Sequence, residues 1–263
     1  MLIFFDIDGT LIGEQSHVML ESTKEAVQRA RSLGHICMIN TGRSGKLVGA
    51  DVTGLTEFDG LAMGCGTMIV YRGETLFHRT FSEEESHRIV AGLRRHGIDA
   101  CLEGSEENYW DSDERIFTAS FREFKHRFDG MGYGTFEEAP GHFDKFYAYA
   151  DKVEKMDTFR QEFADMLDFV DRLGGYYEIM PAGYSKASAI RYMARHLGIP
   201  MSETVAVGDS NNDIPMLTCA GVSIAMGNAA KDVKAVADYV TTDVDEDGIR
   251  NALRWLEERE GRR

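Results

Sequence analysis

The chain has 263 residues, enough for one large domain or two smaller ones, and its 43% hydrophobic and 28% charged residues are typical of a folded globular protein. Its formal net charge of −15 at pH 7 would repel a phosphate backbone, which argues against nucleic acid as a partner. No stretch approaches about 18 apolar residues and no signal peptide is recognisable, so we expect a cytoplasmic protein without a membrane span.

The first third of the chain predicts a β-α-β unit. The continuous apolar run "LIFF" is typical of a parallel strand that is covered on both faces. "ESTKEAVQRARSLG" follows as a helix, with Ser22 and Glu25 as a capping box and Gly34 as its stop. "HICMIN" (residues 35–40) and "FDGLAM" predict the next two strands. We therefore expect an α/β fold with a doubly wound, Rossmann-like parallel sheet.

An aromatic-rich stretch interrupts this pattern. Ser82 and Glu85 form another capping box, "MDTFRQEFADML" predicts a helix, and "KFYAYA" and "YYEIM" predict strands. Roughly a hundred residues can build a core of their own. We therefore expect an inserted α+β cap domain at 81–183, between two parts of the core domain at 1–80 and 184–263.

The core pattern returns after the insertion. "SKASAIRYMARHLGIP" predicts a helix with Ser185 as its cap and Gly198 and Pro200 as its stop. "TVAVGD" predicts a strand, "IPMLTCAG" a helix, and "VSIAM" and "ADYVTT" two more strands. The last helix carries an apolar face of Ile249, Ala252, Leu253 and Leu256.

Two carboxylates follow the first strand one residue apart. Residues i and i+2 of a strand point to the same side, so Asp6 and Asp8 can face one small volume. This volume lies at the carboxyl edge of the sheet, where open α/β sheets bind their ligands. Two carboxylates so close need a cation, or one of them must keep a proton. Gly9 permits the sharp turn that follows them.

A second acidic cluster, "VGDSNNDIPML", follows a later buried strand. Its spacing fails as a calcium loop, because Ile214 replaces the glycine at position six and Ala220 the glutamate at position twelve. Asp209 instead ends its strand as Asp6 does, so the two can converge on one hard cation. A site with few protein carboxylates suits Mg²⁺, which keeps waters and uses substrate phosphate as a ligand.

Two further features suit an anionic ligand. In "MINTGRSG" the turn at Thr41 presents a hydroxyl and backbone N–H groups to phosphate oxygens. Lys186 begins a helix, where its charge opposes the helix dipole unless an anion lies nearby.

Together "DIDGT", "NTGR", "SK" and "GDSNND" resemble, in order, the four signature motifs of the haloacid dehalogenase superfamily of phosphotransferases. The insertion looks like the C2-type cap of its Cof-like sugar-phosphatase subfamily. The similarity covers nearly the whole chain, with high specificity in the core motifs and little in the insertion. The resemblance implies that Asp6 is the nucleophile and Asp8 the general acid and base.

The same resemblance implies the ligand sets. Asp6, the Asp8 carbonyl and Asp209 would bind Mg²⁺, and Asp213 would support them. The residues that would hold the phosphoryl group are Thr41, Gly42, Lys186 and Asn212.

The chain departs from many of these relatives at "MGCGTMIV", where Cys65 replaces the usual asparagine and would alter any substrate contact made there. We take Cys65 as a packing residue rather than a nucleophile, because no histidine pairs with it by motif. The candidates for substrate contact are Arg43, Cys65, Trp110, Arg115 and Glu178.

The expected function is Mg²⁺-dependent hydrolysis of a small phosphorylated metabolite, such as a sugar phosphate, through an aspartyl-phosphate. Two alternatives stay open. A mutase similar to phosphomannomutase would return the phosphoryl group to a sugar and would need a bisphosphate activator. A phosphate-responsive regulator would accept phosphate on Asp6, but Asp8 would shorten the life of that signal. The sequence leaves open whether the protein is a monomer or a homodimer.

Overall fold

The computed structural model describes the whole chain except residues 14, 50, 51, 53, 55, 262 and 263. The described residues form two compact units. The first contains 1–42, 48–76 and 185–263, and the second contains 43–47 and 77–184. Among the described residues, no helix combines the length and the apolar character that crossing a bilayer requires.

Strands and helices alternate along most of the chain. The strands are β1 (Leu2–Phe5), β2 (Ile36–Asn40), β3 (Gly60–Met63), β4 (Met68–Tyr71), β5 (Glu74–His78), β6 (Asp99–Glu103), β7 (Asn108–Trp110), β8 (Gly134–Thr135), β9 (Lys145–Tyr149), β10 (Leu167–Asp171), β11 (Tyr176–Pro181), β12 (Thr204–Gly208), β13 (Val222–Ala225) and β14 (Tyr239–Val240). The α-helices are α1 (Glu21–Ser32), α2 (Glu83–His96), α3 (Ala119–His126), α4 (Val153–Glu162), α5 (Lys186–Leu197), α6 (Ile214–Cys219), α7 (Lys231–Ala235) and α8 (Gly248–Glu260).

The first unit is built on an eight-stranded sheet in the order β14-β13-β12-β1-β2-β3-β4-β5. The strands from β14 to β3 pair in parallel, and β4 is antiparallel to β3. Strand order reverses between β1 and β12, because the chain builds outward from β1 on one side and returns through β12 on the other. The predicted doubly wound α/β fold is confirmed. Its switch point, where such sheets bind ligands, lies at the ends of β1 and β12.

Apolar side chains from the sheet and from α1 and α8 form the core of this unit. Ile3 and Phe5 of β1, Val207 of β12, Val27 of α1 and Leu253 of α8 belong to one buried cluster. The continuous apolar runs of the central strands follow from this arrangement, since burial on both faces leaves no side for polar residues.

The predicted N-cap of α1 is wrong. The helix begins two residues earlier, with the extended backbone of Leu20 at the cap position and Glu21 in the first turn. Ser22 therefore lies inside the helix, and its hydroxyl has no hydrogen-bond partner among the described residues. Glu21 in the first turn favours this start, because a carboxylate there interacts favourably with the helix dipole. The other predicted ends hold: Ser82 caps α2, Ser185 caps α5, and Gly198 ends α5 in the left-handed conformation.

The second unit contains a six-stranded sheet in the order β10-β11-β9-β6-β7-β8. The pairs are antiparallel except for β7 with β8. One core cluster joins Phe146 of β9 to Leu93 of α2 and Phe159 of α4. A separate aromatic cluster surrounds Trp110 and Phe121.

The helix predicted from "MDTFRQEFADML" is shifted in the structure. α4 begins at Val153 and ends at Glu162. The N–H groups of Met166 and Leu167 bond back to the Phe163 carbonyl, and Leu167 then pairs with Pro181 as the first residue of β10. The apolar pattern extends beyond the end of the helix because Phe163, in the turn that follows, and Leu167, in β10, also face the core.

His78 makes the stability of the second unit depend on pH. A hydrogen bond to Asp144, with Nε2 and Oδ2 2.9 Å apart, raises the pKa of His78, although partial burial opposes the shift. Because its pKa is raised in the folded protein, protonated His78 stabilises the fold fully at pH values below its unfolded-state pKa of about 6.5. This stabilisation disappears as the pH rises through the folded-state pKa. We expect His78→Gln to lower the free energy of unfolding more at about pH 6 than at about pH 9, in urea titrations.

Thr80→Val is the matched control for this prediction. The Thr80 hydroxyl donates to the same carboxylate, with Oγ1 2.8 Å from Asp144 Oδ1, but it does not titrate in this range. The Thr80 hydroxyl also lies 3.3 Å from His78 Nε2. Its loss should therefore show a much smaller difference between the two pH values than the loss of His78. An equal cost of His78→Gln at the two pH values would contradict the assignment.

Candidate active site

Asp6 lies just beyond the carboxyl end of β1. Its N–H donates to the Val207 carbonyl of β12 at 3.0 Å, and its side chain is buried with 4% exposure. Asp8 is exposed in the turn that follows. Gly9 permits this turn, because it has a φ of +78°, which side-chain-bearing residues rarely adopt.

Asp209 ends β12 beside this turn. Thr10 Oγ1 donates to Asp209 Oδ1 at 2.9 Å, which orients the carboxylate. A Cβ on Gly9 would lie 2.3 Å from Asp209 Oδ2, so only glycine allows the carboxylate to approach. The two acidic motifs, some 200 residues apart in the sequence, therefore meet at the switch point of the sheet.

Asp213 and Lys186 complete the buried cluster. Lys186 Nζ lies 2.6 Å from Asp6 Oδ1 and 2.5 Å from Asp213 Oδ1. Asp213 Oδ2 accepts from the N–H groups of Asp209 at 2.9 Å and Ser210 at 3.0 Å. Asp213 therefore holds both the lysine and the loop that presents Asp209.

The electrostatics of the cluster show an excess of negative charge. Burial raises the pKa of Asp6 well above its usual value, and Asp213 raises it further, although the Lys186 ammonium opposes them. Burial alone would lower the pKa of Lys186, but Asp213 and Asp6 outweigh it and the pKa lies above its usual value. Lys186 is therefore a permanent cation among three carboxylates.

This donor set fits a hard divalent cation. Oxygen atoms of Asp6, Asp209 and Asp213 all lie within 4.8 Å of one another. Carboxylate oxygens are the ligands that Mg²⁺ prefers, and two positive charges would offset the excess negative charge. The geometry brings together Asp6 and Asp209 of the predicted ligand set and adds Asp213 to the cluster.

The predicted phosphate-binding turn follows β2. The N–H of Thr41 donates to the Ala62 carbonyl at 2.8 Å, and the N–H of Cys65 donates to the Thr41 carbonyl at 3.0 Å. Cys65 has a φ of +55°, a left-handed conformation that asparagine adopts more readily. Cys65 thus helps to position the turn through its backbone. Asn212, which directly precedes Asp213, is buried. Its Oδ1 accepts a hydrogen bond from Ser210 Oγ at 2.8 Å.

The cap candidates occupy different environments within the second unit. Trp110 is buried among the rings of Phe121, Phe124 and Phe128, and Arg115 is half exposed in an ion pair with Glu137. Arg43 donates from Nη1 to the Leu47 carbonyl at 3.4 Å. Their roles as substrate contacts stay predictions.

Glu178 belongs to a buried ionic cluster that sequence reasoning missed. Lys145 Nζ lies 2.8 Å from Glu178 Oε1 and 2.9 Å from Glu103 Oε2, and all three residues are buried. Burial raises the pKa of Glu103 and Glu178 adds to the shift, although Lys145 opposes it. The sequence carries no signal for this cluster, since it depends on the pairing of β11, β9 and β6.

Sequence reasoning also missed the long-range bonds of Thr10 and Asn40 in the first unit; it predicted that the Thr10 hydroxyl bonds the backbone of its own turn. Thr10 orients Asp209, and Asn40 Nδ2 donates to the Lys186 carbonyl at 2.8 Å. Each residue belongs to a quoted motif, "DIDGT" or "NTGR", which was the available signal.

Comparison with known proteins identifies relatives along nearly the whole chain. A model of haloacid dehalogenase-like hydrolases matches residues 3–253. Phosphatase YwpJ of Bacillus subtilis is 29% identical over 97% of this chain and 99% of its own. The 5-amino-6-(5-phospho-D-ribitylamino)uracil phosphatase YcsE of the same organism is 27% identical over 97% of this chain and 95% of its own. The solved structure of the HAD subclass IIB sugar phosphatase BT4131 is similar with a TM-score of 0.82, at 27% identity over 97% of this chain and 98% of that one.

The doubly wound sheet with an acidic site at its switch point has the architecture that the family match indicates. The chain belongs to the haloacid dehalogenase-like hydrolase family. Within that family it is a phosphatase, as are the full-length relatives described above.

Proposed function

We propose that the protein hydrolyses small phosphomonoesters in a Mg²⁺-dependent reaction through a phosphoryl group carried on Asp6. The observation that carries this proposal is the contact of Lys186 Nζ with Asp6 Oδ1 at 2.6 Å inside a buried acidic cluster. A buried carboxylate beside a permanent cation can attack an anionic phosphoryl group, because the cation stabilises the charge that develops.

Each residue then has a definite chemical role. Asp6 attacks phosphorus, an Oδ–P bond forms, and the ester P–O bond breaks. Asp8 gives a proton to the departing alkoxide. In the second step Asp8 takes a proton from water, which attacks phosphorus, and the bond to Asp6 breaks to release inorganic phosphate. The exposure of Asp8 suits this exchange of protons with substrate and water.

The remaining groups hold the transferring phosphoryl group. Lys186 neutralises its oxygens, while the Thr41 hydroxyl, the Gly42 N–H and the amide of Asn212 donate to them. The Thr41 N–H is not among these donors, because it bonds to the Ala62 carbonyl. Asp6 and Asp209 with the Asp8 carbonyl would hold Mg²⁺, and Asp213 keeps Asp209 and Lys186 in place. When bound, Mg²⁺ supplies positive charge that reduces the repulsion between the carboxylate and the phosphate.

The proposed substrate class is a sugar or polyol phosphate. One relative acts on a phosphoribityl compound and one structural neighbour is a sugar phosphatase, so both names point to a phosphate on a hydroxylated carbon chain. The second unit is the proposed cap domain, which would select among such substrates.

The test is inorganic phosphate release from a panel of sugar and polyol phosphates and one aryl phosphate. Each is assayed with Mg²⁺, with a chelator, and with Mg²⁺ restored after chelation. We expect release only when Mg²⁺ is present. Release that persists in the chelator would overturn the metal requirement. Isomerisation of a sugar phosphate in the presence of a sugar bisphosphate, without net phosphate release, would instead establish a mutase.

A further inference from the structure

Asn40 occupies an unusual position at the end of β2. Its side chain is completely buried, and Nδ2 donates to the carbonyl oxygen of Lys186 at 2.8 Å. The same Nδ2 lies 3.6 Å from the sulfur of Met216, which is a weak acceptor. The strong bond of Asn40 therefore crosses from the sheet to the first residue of α5.

The first turn of α5 determines where the Lys186 ammonium lies. Lys186 is the first helical residue after the cap at Ser185, and its side chain runs fully buried to Asp6. A Cβ on Gly66 would lie 2.6 Å from the Ser185 carbonyl oxygen, so the backbone at Gly66 also packs tightly against this turn. A shift of the turn would move the ammonium, because the buried side chain has no room to compensate.

Asn40 also immediately precedes Thr41. One side chain thus connects the strand that ends in the phosphate-binding turn to the helix that carries the phosphate-binding lysine. Groups that bind the oxygens of the same phosphoryl group must keep their spacing, since small displacements lower the reaction rate strongly.

The acceptor half of the amide is left unsatisfied. Asn40 Oδ1 is buried without a hydrogen-bond partner among the described residues. A buried acceptor without a partner costs stability, whereas an apolar side chain at the same place would not carry that cost. The unsatisfied acceptor offsets part of the stability that the bond to the Lys186 carbonyl contributes, which favours a role in the reaction.

We propose that Asn40 is a positioning residue, which fixes the first turn of α5 so that Lys186 keeps its distance to Asp6 and to the Thr41 turn. This inference rests on the proposed function. It adds a residue that acts on the reaction through Lys186 without contacting the substrate.

The test compares Asn40→Ala with Met216→Leu. Both remove one partner of the contact at Nδ2, but only Asn40→Ala removes the bond to the Lys186 carbonyl. We expect Asn40→Ala to lower kcat by about tenfold to a hundredfold with KM changed less than about threefold, because misplacement affects the transition state most. Met216→Leu should retain kcat, since the swap conserves volume.

Two further readouts separate positioning from general damage. The melting temperature of Asn40→Ala should fall by only about a few degrees, so that the protein stays folded in the assay. Hydrogen exchange in the first turn of α5 should speed up in Asn40→Ala and stay at the native rate in Met216→Leu. Native kcat in Asn40→Ala, or a lower kcat with unchanged exchange in that turn, would overturn the proposal. If the native protein releases no phosphate from any substrate, the proposed function fails, and unchanged exchange in Asn40→Ala would separately refute the role of Asn40 in holding α5.

Discussion

Replacing Asp6 with Asn is expected to reduce phosphate release by a factor of at least about 10⁴, because an amide cannot attack phosphorus or carry the phosphoryl group. The change preserves the shape of the side chain and keeps an oxygen for Lys186, whose ammonium lies 2.6 Å from Asp6 Oδ1. The free energy of unfolding should not fall, because Asp6 is buried beside two further carboxylates. The change to Asn removes a negative charge that these carboxylates repel. Loss of activity in a protein of native or higher melting temperature is therefore the expected result.

The measurement is steady-state phosphate release with the best substrate, together with thermal unfolding of the same samples. Asp232→Asn provides a matched control, because it makes the same chemical change at an exposed position on α7. The control should retain native activity. Turnover by Asp6→Asn within about tenfold of the native enzyme would mean that another group attacks phosphorus.

Replacing Lys186 with Met should damage both activity and stability. The ammonium is fully buried between Asp6 and Asp213, so its loss leaves two buried carboxylates without their cation. Breaking a buried ion pair in this way typically costs about 3–5 kcal/mol. The phosphoryl oxygens lose a permanent positive charge as well, and we expect kcat to fall by about 10³-fold. Urea unfolding in a chelating buffer and phosphate release with Mg²⁺ measure the two effects.

A double variant, Lys186→Met with Asp213→Asn, distinguishes these effects. Removing one of the two unpaired carboxylates should restore a large part of the lost stability, while the amide oxygen introduced by Asp213→Asn can still accept from the N–H of Asp209 or Ser210. Activity should stay as low as in the single variant, because the cation is still missing. Native stability of Lys186→Met in the chelating buffer would contradict the view that this lysine balances the acidic cluster.

Much of the core architecture follows from local sequence. Continuous apolar runs such as "LIFF" identify strands that are buried on both faces, and β1 and β12 lie at the centre of the sheet. The capping box of Ser82 and Glu85 could be predicted because its partners are only three residues apart. The same spacing at Ser22 and Glu25 gave a wrong prediction, because that helix begins earlier, at Glu21. Asp6 and Asp209 could be placed together because the carboxyl ends of parallel strands share one edge of the sheet. The roles assigned to these residues rest on the resemblance of the motifs and await the variants above.

The tertiary structure decided the contacts between residues that are far apart in the chain. Asn40 meets Lys186 across 146 positions, and Lys145 meets Glu103 and Glu178 only because β9 pairs with β6 and lies beside β11. No local pattern encodes these contacts, since each requires a particular strand order and register. Composition, strand runs and motif chemistry are thus properties of the sequence itself. The hydrogen bonds that hold the groups of the candidate site in place exist only once the strands have paired, because their partners are brought together by folding.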